Sequence, residues 1–327
     1  MLLQKSLRNL IAKSGASAVR FWGKIKGTKA DYFVVEATQE GGGAEGEEGG
    51  EAAEPRGTGA NQFVYWVTNS PVGEWSQLPD IKPSQIIKAR QIKCMFTGNL
   101  KEKIYTNPFY FEEERIYLRA QIARINSSCT IVPKGLHRFV EDSTRDIEDN
   151  TPEEGEIVKP TTKQMCNIDM WVHHTPSLLK QGRTKHADPK PKPGEEELEP
   201  EVLMAREVEK DPWEPRLKQI AKDNATRGGM PPWILRSFNA ETDLVDPKTG
   251  KANVNFGTVV VKSMWWPGSC TLYNSGRTIQ VYNGDGQKNE PANASYYPVQ
   301  PPRMMTEKAE KQCFFDPRII VSSRTNT

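Results

Sequence analysis

The sequence lacks any apolar run approaching the roughly 18 residues that a membrane span requires. It also lacks a surplus of either charge: 44 Lys and Arg stand against 42 Asp and Glu, leaving +2 over 327 residues. So small a net charge gives no electrostatic case for nucleic-acid binding, and neither a nucleic-acid nor a membrane partner is expected. Cysteine is scarce and unpatterned. Cys94, Cys129, Cys166, Cys270 and Cys313 are odd in number and never form a CxxC pair, which excludes a disulfide framework and fits a reducing compartment.

Catalytic signatures are missing as well. There is no GxxxxGK[ST], no GxSxG and no HExxH. His173-His174 is the one adjacent histidine pair, and neighbouring side chains on a helix or strand point apart, so a shared metal is not expected. Gly284-Asp285-Gly286-Gln287-Lys288 follows a strand pattern without a helix behind it, so the helix N-terminus that holds phosphate is absent. The sequence predicts no catalytic residue, no cofactor and no metal.

What remains is 36% hydrophobic residues with mean hydropathy −0.67, plus 25 glycines and 24 prolines. That loop-forming content exceeds the usual share but stays far below the ~25–30% of a disordered chain. The expected class is α+β and β-rich: antiparallel sheets or meanders, a few short helices, and long irregular acidic and Pro-rich loops. Five regions follow. Residues 1–17 form an amphipathic helix, with Leu3, Leu7, Leu10 and Ile11 at helical spacing and Ser14-Gly15 as the stop. Residues 18–140 form a first block, 141–200 an acidic and Pro-rich connection, 201–302 a β-rich second block, and 303–327 an irregular tail.

In the first block, Val19–Ile25, Asp31–Ala37 and Gln62–Thr68 read as strands from their β-branched and aromatic content. The Gly- and Glu-rich insert 39–60 cannot bury apolar area and is expected to be a mobile loop. A helix capped by Ser84 runs to the Gly98-Asn99 stop, and Leu118, Ile122 and Ile125 predict another over 116–125. Cys129–Val132 is expected to be extended, 141–156 a flexible connection, and 165–174 and 177–181 short helices. Residues 182–200 read as an extended arm, and 202–225 as intermittently helical, cut by Pro212 and Pro215. In the second block, 257–265 reads as a strand, with Val259, Val260 and Val261 consecutive and hence buried on both faces or at a barrel rim. Thr271–Tyr273 and Arg277–Tyr282 flank a three-residue hairpin loop, Asn274-Ser275-Gly276.

Eight tryptophans, several in small polar contexts, fill space between loops and sheet or supply partner contacts, where Trp concentrates binding energy. The motifs themselves resemble a known family. Val19-Arg20-Phe21-Trp22-Gly23-Lys24-Ile25, Val64-Tyr65-Trp66-Val67, Thr97-Gly98-Asn99-Leu100, the run Tyr117–Ile125, and Trp266-Pro267-Gly268 with Tyr282–Lys288 are similar to radial spoke head proteins of the four/six type from motile cilia. The matches are dense over 19–135 and 258–302 and sparse between.

The resemblance implies a non-enzymatic structural subunit of the radial spoke head, located in the ciliary or flagellar axoneme. It implies pairing with a paralogous head subunit or with itself, contacts to other head and neck subunits, and meetings with central-pair projections that regulate dynein-driven motility. Family members carry a longer segment before the shared block, so an attachment role for such a segment is left unassigned. Within this reading, Trp22, Tyr65, Trp66 and Trp265 are candidate partner contacts. Glu45, Glu47, Glu48, Glu51, Glu54, Asp146, Glu148 and Asp149 are candidate acidic contacts with the central pair, because a contact that releases on every beat suits weak, screened electrostatics. Two alternatives stay open. A ligand- or carbohydrate-binding β module would explain the tryptophans, and a mitochondrial matrix protein would explain the basic, acid-free stretch before Asp31.

Overall fold

The computed structural model describes residues 2–38, 53–106, 109, 110, 112–141, 143, 145–152, 157, 159–186, 199–223, 231–238 and 257–289. Two meanders share one sheet. The first runs β1 (Ala18–Ile25), β2 (Tyr32–Thr38), β3 (Val64–Thr68) and the short β4 (Ser76–Gln77). Two short pairs intervene: β5 (Ile131–Pro133) with β8 (Trp171–His173), and β6 (His137–Phe139) with β7 (Ile147–Asp149). The second meander is β9 (Trp233–Phe238), β10 (Thr258–Ser263), β11 (Ser269–Asn274) and β12 (Arg277–Gly284).

The eight-stranded order is β4-β3-β2-β1-β12-β11-β10-β9, antiparallel except at the β1–β12 seam, where Gly23, Lys24 and Ile25 lie opposite Tyr282, Asn283 and Gly284. The fold is α+β and β-rich, as expected. Its parallel seam is not visible in local sequence, because the partners are about 260 residues apart. A β-bulge between Phe21 and Gly23 adds the extra residue Trp22 to β1 just before the seam. Gly23 is required by close approach: a Cβ there would lie 2.2 Å from the Tyr282 carbonyl oxygen.

Among the described residues, four α-helices accompany the sheet. The first, α1 (Leu2–Ser14), seats Leu10 in the core, receives the Trp75 indole N–H on Ser6 Oγ (2.8 Å), and ends at Gly15, whose φ of +66° suits a helix stop. The second, α2 (Pro83–Gln91), starts with proline at its first position, and Gln85 Oε1 accepts the Lys82 backbone N–H (3.0 Å). It is shorter than expected, and Lys82 rather than Ser84 precedes it. Ile92 is already extended, because Phe96 is drawn away to accept the Thr28 N–H (2.7 Å). The third, α3 (Glu114–Cys129), buries eleven of its 16 residues, including Glu114, Arg119, Gln121 and Arg124. The fourth, α4 (Pro200–Lys210), stops before Asp211-Pro212.

The main core lies between α2, α3 and one sheet face, around Trp22, Tyr32, Phe96, Tyr117, Leu118, Ile122 and Trp266. A second core joins Trp171, Met165 and Ile131 to Trp233, Val259, Val261 and Tyr273 of the second meander. Val259, Val260 and Val261 are all buried, as their continuous run predicts.

Several local expectations are corrected. Residues 165–174 form two 3-10 turns followed by β8, since Asn167 Oδ1 accepts the Asp169 N–H (3.0 Å) and Val172 then pairs with β5. Residues 177–181 form no helix: the Arg90 guanidinium takes the carbonyls of Leu178, Leu179 and Lys180 at 3.2, 2.8 and 3.1 Å. Within 141–156 the strand β7 pairs with β6, so part of this acidic stretch is ordered. The hairpin loop has two residues, Ser275 (φ +45°) and Gly276 (φ +81°), because Asn274 pairs directly with Arg277. Strand β9 was not expected at all. Of the insert, 39–52 lie outside the described residues, whereas 53–60 are held in place by Glu54, whose carboxylate accepts the N–H groups of Ala60 and Thr184, both at 2.8 Å. Residues 187–198 of the arm and the tail 303–327 also lie outside the described residues.

Gly23→Ala is expected to lower stability by about 3 kcal/mol, because backbone at the seam must move to admit one methyl. Urea unfolding followed by tryptophan fluorescence checks this, and an unchanged midpoint would contradict the seam's tight register.

Candidate partner-binding surface

The site is best built from the helix that supports it. At its start, Glu114 accepts hydrogen bonds from the backbone N–H of Thr97 (2.9 Å) and Gly98 (3.0 Å), from Thr97 Oγ1 (2.8 Å), and from the Tyr32 hydroxyl (2.7 Å). One turn on, Arg119 donates to the Ala60 carbonyl (2.7 Å) and Asn61 Oδ1 (3.0 Å) and stacks over the Tyr65 ring at 4.7 Å, although its Nη1 has no hydrogen-bond acceptor among the described residues. Burial pulls the Arg119 pKa down, and Tyr65, Asp80 and Glu36 oppose that pull. Further along, Arg124 donates to Gln121 Oε1 (2.7 Å) and the Ala89 carbonyl (3.0 Å) and lies 5.2 Å over the Trp266 ring.

Two predicted partner contacts belong to this support and not to the surface. Trp22 is 3% exposed and Tyr65 2%. Trp22 Nε1–H donates to Asn126 Oδ1 (2.6 Å), and Asn126 Nδ2 donates in turn to the Tyr65 hydroxyl, so one α3 side chain ties both together. Trp22 also stacks on Tyr282 across the seam, with ring centroids 5.3 Å apart. Burial, reinforced by the Glu36 charge, drives the Tyr65 pKa well above the ordinary phenol value.

Trp66 and Trp265 are half-buried and keep an accessible edge. Being next to Tyr65 in a strand, Trp66 points to the opposite sheet face. Trp265 lines a cleft of about 540 Å³ between the C-terminal end of α3, segment 178–180 and segment 211–218. Lys288 Nζ lies 5.7 Å from the Trp265 ring centroid, and Arg90, Lys218 and Asp223 form further parts of the wall. The cleft thus has an aromatic floor and a mixed charged rim, a composition suited to a protein segment.

The predicted acidic contacts divide as well. Glu45, Glu47, Glu48 and Glu51 lie outside the described residues. Glu54 is turned inward onto Thr184 and Ala60, which corrects its assignment to a solvated loop. Asp146, Glu148 and Asp149 are exposed on or beside the β6–β7 hairpin, with Glu148 2.8 Å from Arg138 and Asp149 3.0 Å from His137 Nδ1.

The adjacent histidines diverge, as expected. His173 Nε2 meets Asp223 Oδ2 at 2.9 Å, and that oxygen also accepts the Trp233 indole N–H (2.7 Å). His174 packs on His137, with ring centroids 4.8 Å apart. Among the described residues, no three His, Cys, Asp or Glu side chains are grouped to hold a metal. Nor is any described helix long and apolar enough to cross a membrane. The buried polar residues of α3 are the important group that sequence reading passed over. The one available signal was Arg119, Gln121 and Arg124 interrupting an otherwise apolar helix face.

Comparison with known proteins gives a consistent picture. The profile of the radial spokehead-like protein family matches residues 1–54 and 50–318. The chain is 30% identical to mouse radial spoke head protein 6 homolog A, over 88% of its own length and 46% of the relative's. It is 30% identical to human radial spoke head protein 4 homolog A, over 92% and 46% of the two lengths. It is 31% identical to flagellar radial spoke protein 4 of Chlamydomonas reinhardtii, over 91% and 63%. The chain therefore spans about half the length of the animal relatives it matches.

Two expectations follow from this geometry. Asn126→Ala strands the Trp22 N–H and weakens the Tyr65 position, and is expected to cost about 2 kcal/mol in chemical denaturation; no loss would show that the bridge is idle. Burial, with His137 and Arg216 nearby, pushes the His174 pKa down to about 4, opposed by Asp149. Its unfolded value is about 6.5, so the unfolded state binds the extra proton first as pH falls. Stability should decline by about 2 kcal/mol between those two pH values, and His174→Gln should flatten the decline. An unchanged pH profile in that variant would contradict the assignment.

Proposed function

The chain belongs to the radial spokehead-like protein family, and from that premise we propose that it is a non-enzymatic structural subunit of the radial spoke head in the ciliary or flagellar axoneme. The observation that carries this reading is the coincidence of motif and architecture. The blocks that resemble spoke head proteins are the ones that supply β1, β3, α3, the Trp266 turn and the β12 seam. A chain whose shared residues are devoted to holding two meanders together around one helix is suited to bear load and present surfaces.

In this reading the chain pairs with a paralogous head subunit or a second copy of itself and joins other head and neck subunits. Trp66 and Trp265 are its accessible aromatic anchors, on different parts of the molecule. Asp146, Glu148 and Asp149 face the central-pair projections. Their ion pairs are exposed and individually weak, which suits a contact made and released on every beat. Through such contacts the head passes signals towards control of dynein.

Removing the chain from ciliated cells and imaging axonemes by electron cryotomography tests the function. Missing or shrunken spoke heads, restored by re-expression, are the expected result; intact heads in its absence would overturn the proposal. Trp265→Ala should fold normally yet weaken capture of spoke subunits by about tenfold. Full capture by that variant would remove the cleft from the partner interface.

A further inference from the structure

A second hollow, of about 190 Å³, opens beside the Gly57–Gly59 turn. Its walls carry three cations, Arg145, Lys185 and Arg216, against one acid, Asp146. The Arg145 guanidinium carbon stands 5.0 Å from the Trp213 ring centroid, a cation–π contact that holds the side chain at the wall. Arg216 is fixed by donating to the His174 carbonyl (2.7 Å) and to the Arg145 carbonyl (3.4 Å). Lys185 Nζ is 4.0 Å from Asp146 Oδ1, and with side chains 66% and 62% exposed this pair is loose and readily exchanged for a stronger anion. Thr184 forms part of the wall. Its N–H and hydroxyl both donate to Glu54 Oε1 (2.8 and 2.7 Å), and the Ala60 N–H donates to Glu54 Oε2 (2.8 Å), so this carboxylate is held behind the wall by three donors.

We propose that this hollow binds a phosphate monoester, with Arg145 and Lys185 reaching its oxygens and Arg216 supplying a fixed positive field. The charge balance selects an anion. Three cations outnumber the acids, Asp146 on the wall and Glu54 behind Thr184, so the hollow stays net positive and suits an anion with several acceptor oxygens. A planar arginine fork held on an aromatic ring is also the arrangement best matched to phosphate oxygens. The volume admits one phosphorylated side chain or one free phosphate group but no nucleotide. This site is separate from the Trp265 cleft and does not depend on the spoke-head reading.

Calorimetric titration of the full chain at constant ionic strength tests it, using inorganic phosphate, O-phosphoserine, and a phosphoserine hexapeptide beside its unphosphorylated twin. The expected result is saturable one-site binding of the phosphate-bearing probes, weakened by about tenfold or more in Arg145→Gln and in Lys185→Glu. Lys13→Gln on α1 should leave it unchanged. Tighter binding of the phosphopeptide than of inorganic phosphate identifies a protein-borne ligand, and equal binding identifies a free anion. No saturation, equal binding of the unphosphorylated peptide, or unaltered affinity in Lys185→Glu would overturn the proposal. Lys185 is exposed enough that its variant is expected to fold, which keeps the test decisive even if Arg145→Gln does not.

Discussion

Two arginines and a glutamate buried in one helix set the terms for the rest of the molecule. A charge removed from water is costly unless most of its hydrogen-bonding capacity is met. The partners that meet most of it here come from distant parts of the chain. Glu114 draws in the Thr97–Gly98 turn and Tyr32, Arg119 fixes the Ala60–Asn61 turn and Tyr65, and Arg124 holds the end of α2 and Trp266. Tyr117 extends the same logic by donating to Gln287 Oε1 (3.2 Å), just beyond β12. The helix therefore specifies where both meanders sit, by directional bonds that apolar packing alone does not provide.

The seam between β1 and β12 is the counterpart of that helix. One parallel pair joins the two meanders into one sheet, and it forms between segments near opposite ends of the described residues. Such a contact carries a large loop-closure cost and is unstable until other interactions hold its ends together. α3 supplies those interactions, since Asn126 and Arg124 reach residues on either side of the seam, Trp22 and Trp266. This gives a scaffold whose surface loops can vary while the frame between them is kept.

What the sequence made legible was local. Strands β1, β2 and β3, the β11–β12 hairpin, and the course of α3 follow from β-branched runs, a turn glycine, and Leu118, Ile122 and Ile125 at helical spacing. Strand β9, six residues long, escaped altogether; of the β5–β8 pair only the extended course of 129–132 was legible, because β8 was read as helix and its three residues take their meaning from pairing with β5. Segment 177–181 looked helical until Arg90 claimed its carbonyls, a contact that no local pattern encodes. The aromatic candidates separated for a similar reason. Tyr65 and Trp66 are neighbours of equal hydrophobic character, and only the register of β3 decides that one enters the core and the other keeps an exposed edge.

Hydrogen exchange read by mass spectrometry on the full chain tests the central role of α3 most directly. If the helix organises both meanders, its amides over 117–125 should be among the slowest to exchange, opening only with the sheet in one cooperative step. Arg119→Met should then speed exchange in β1, β3 and β12 together. Exchange of α3 ahead of the sheet, or an effect of that substitution confined to the helix, would contradict the account.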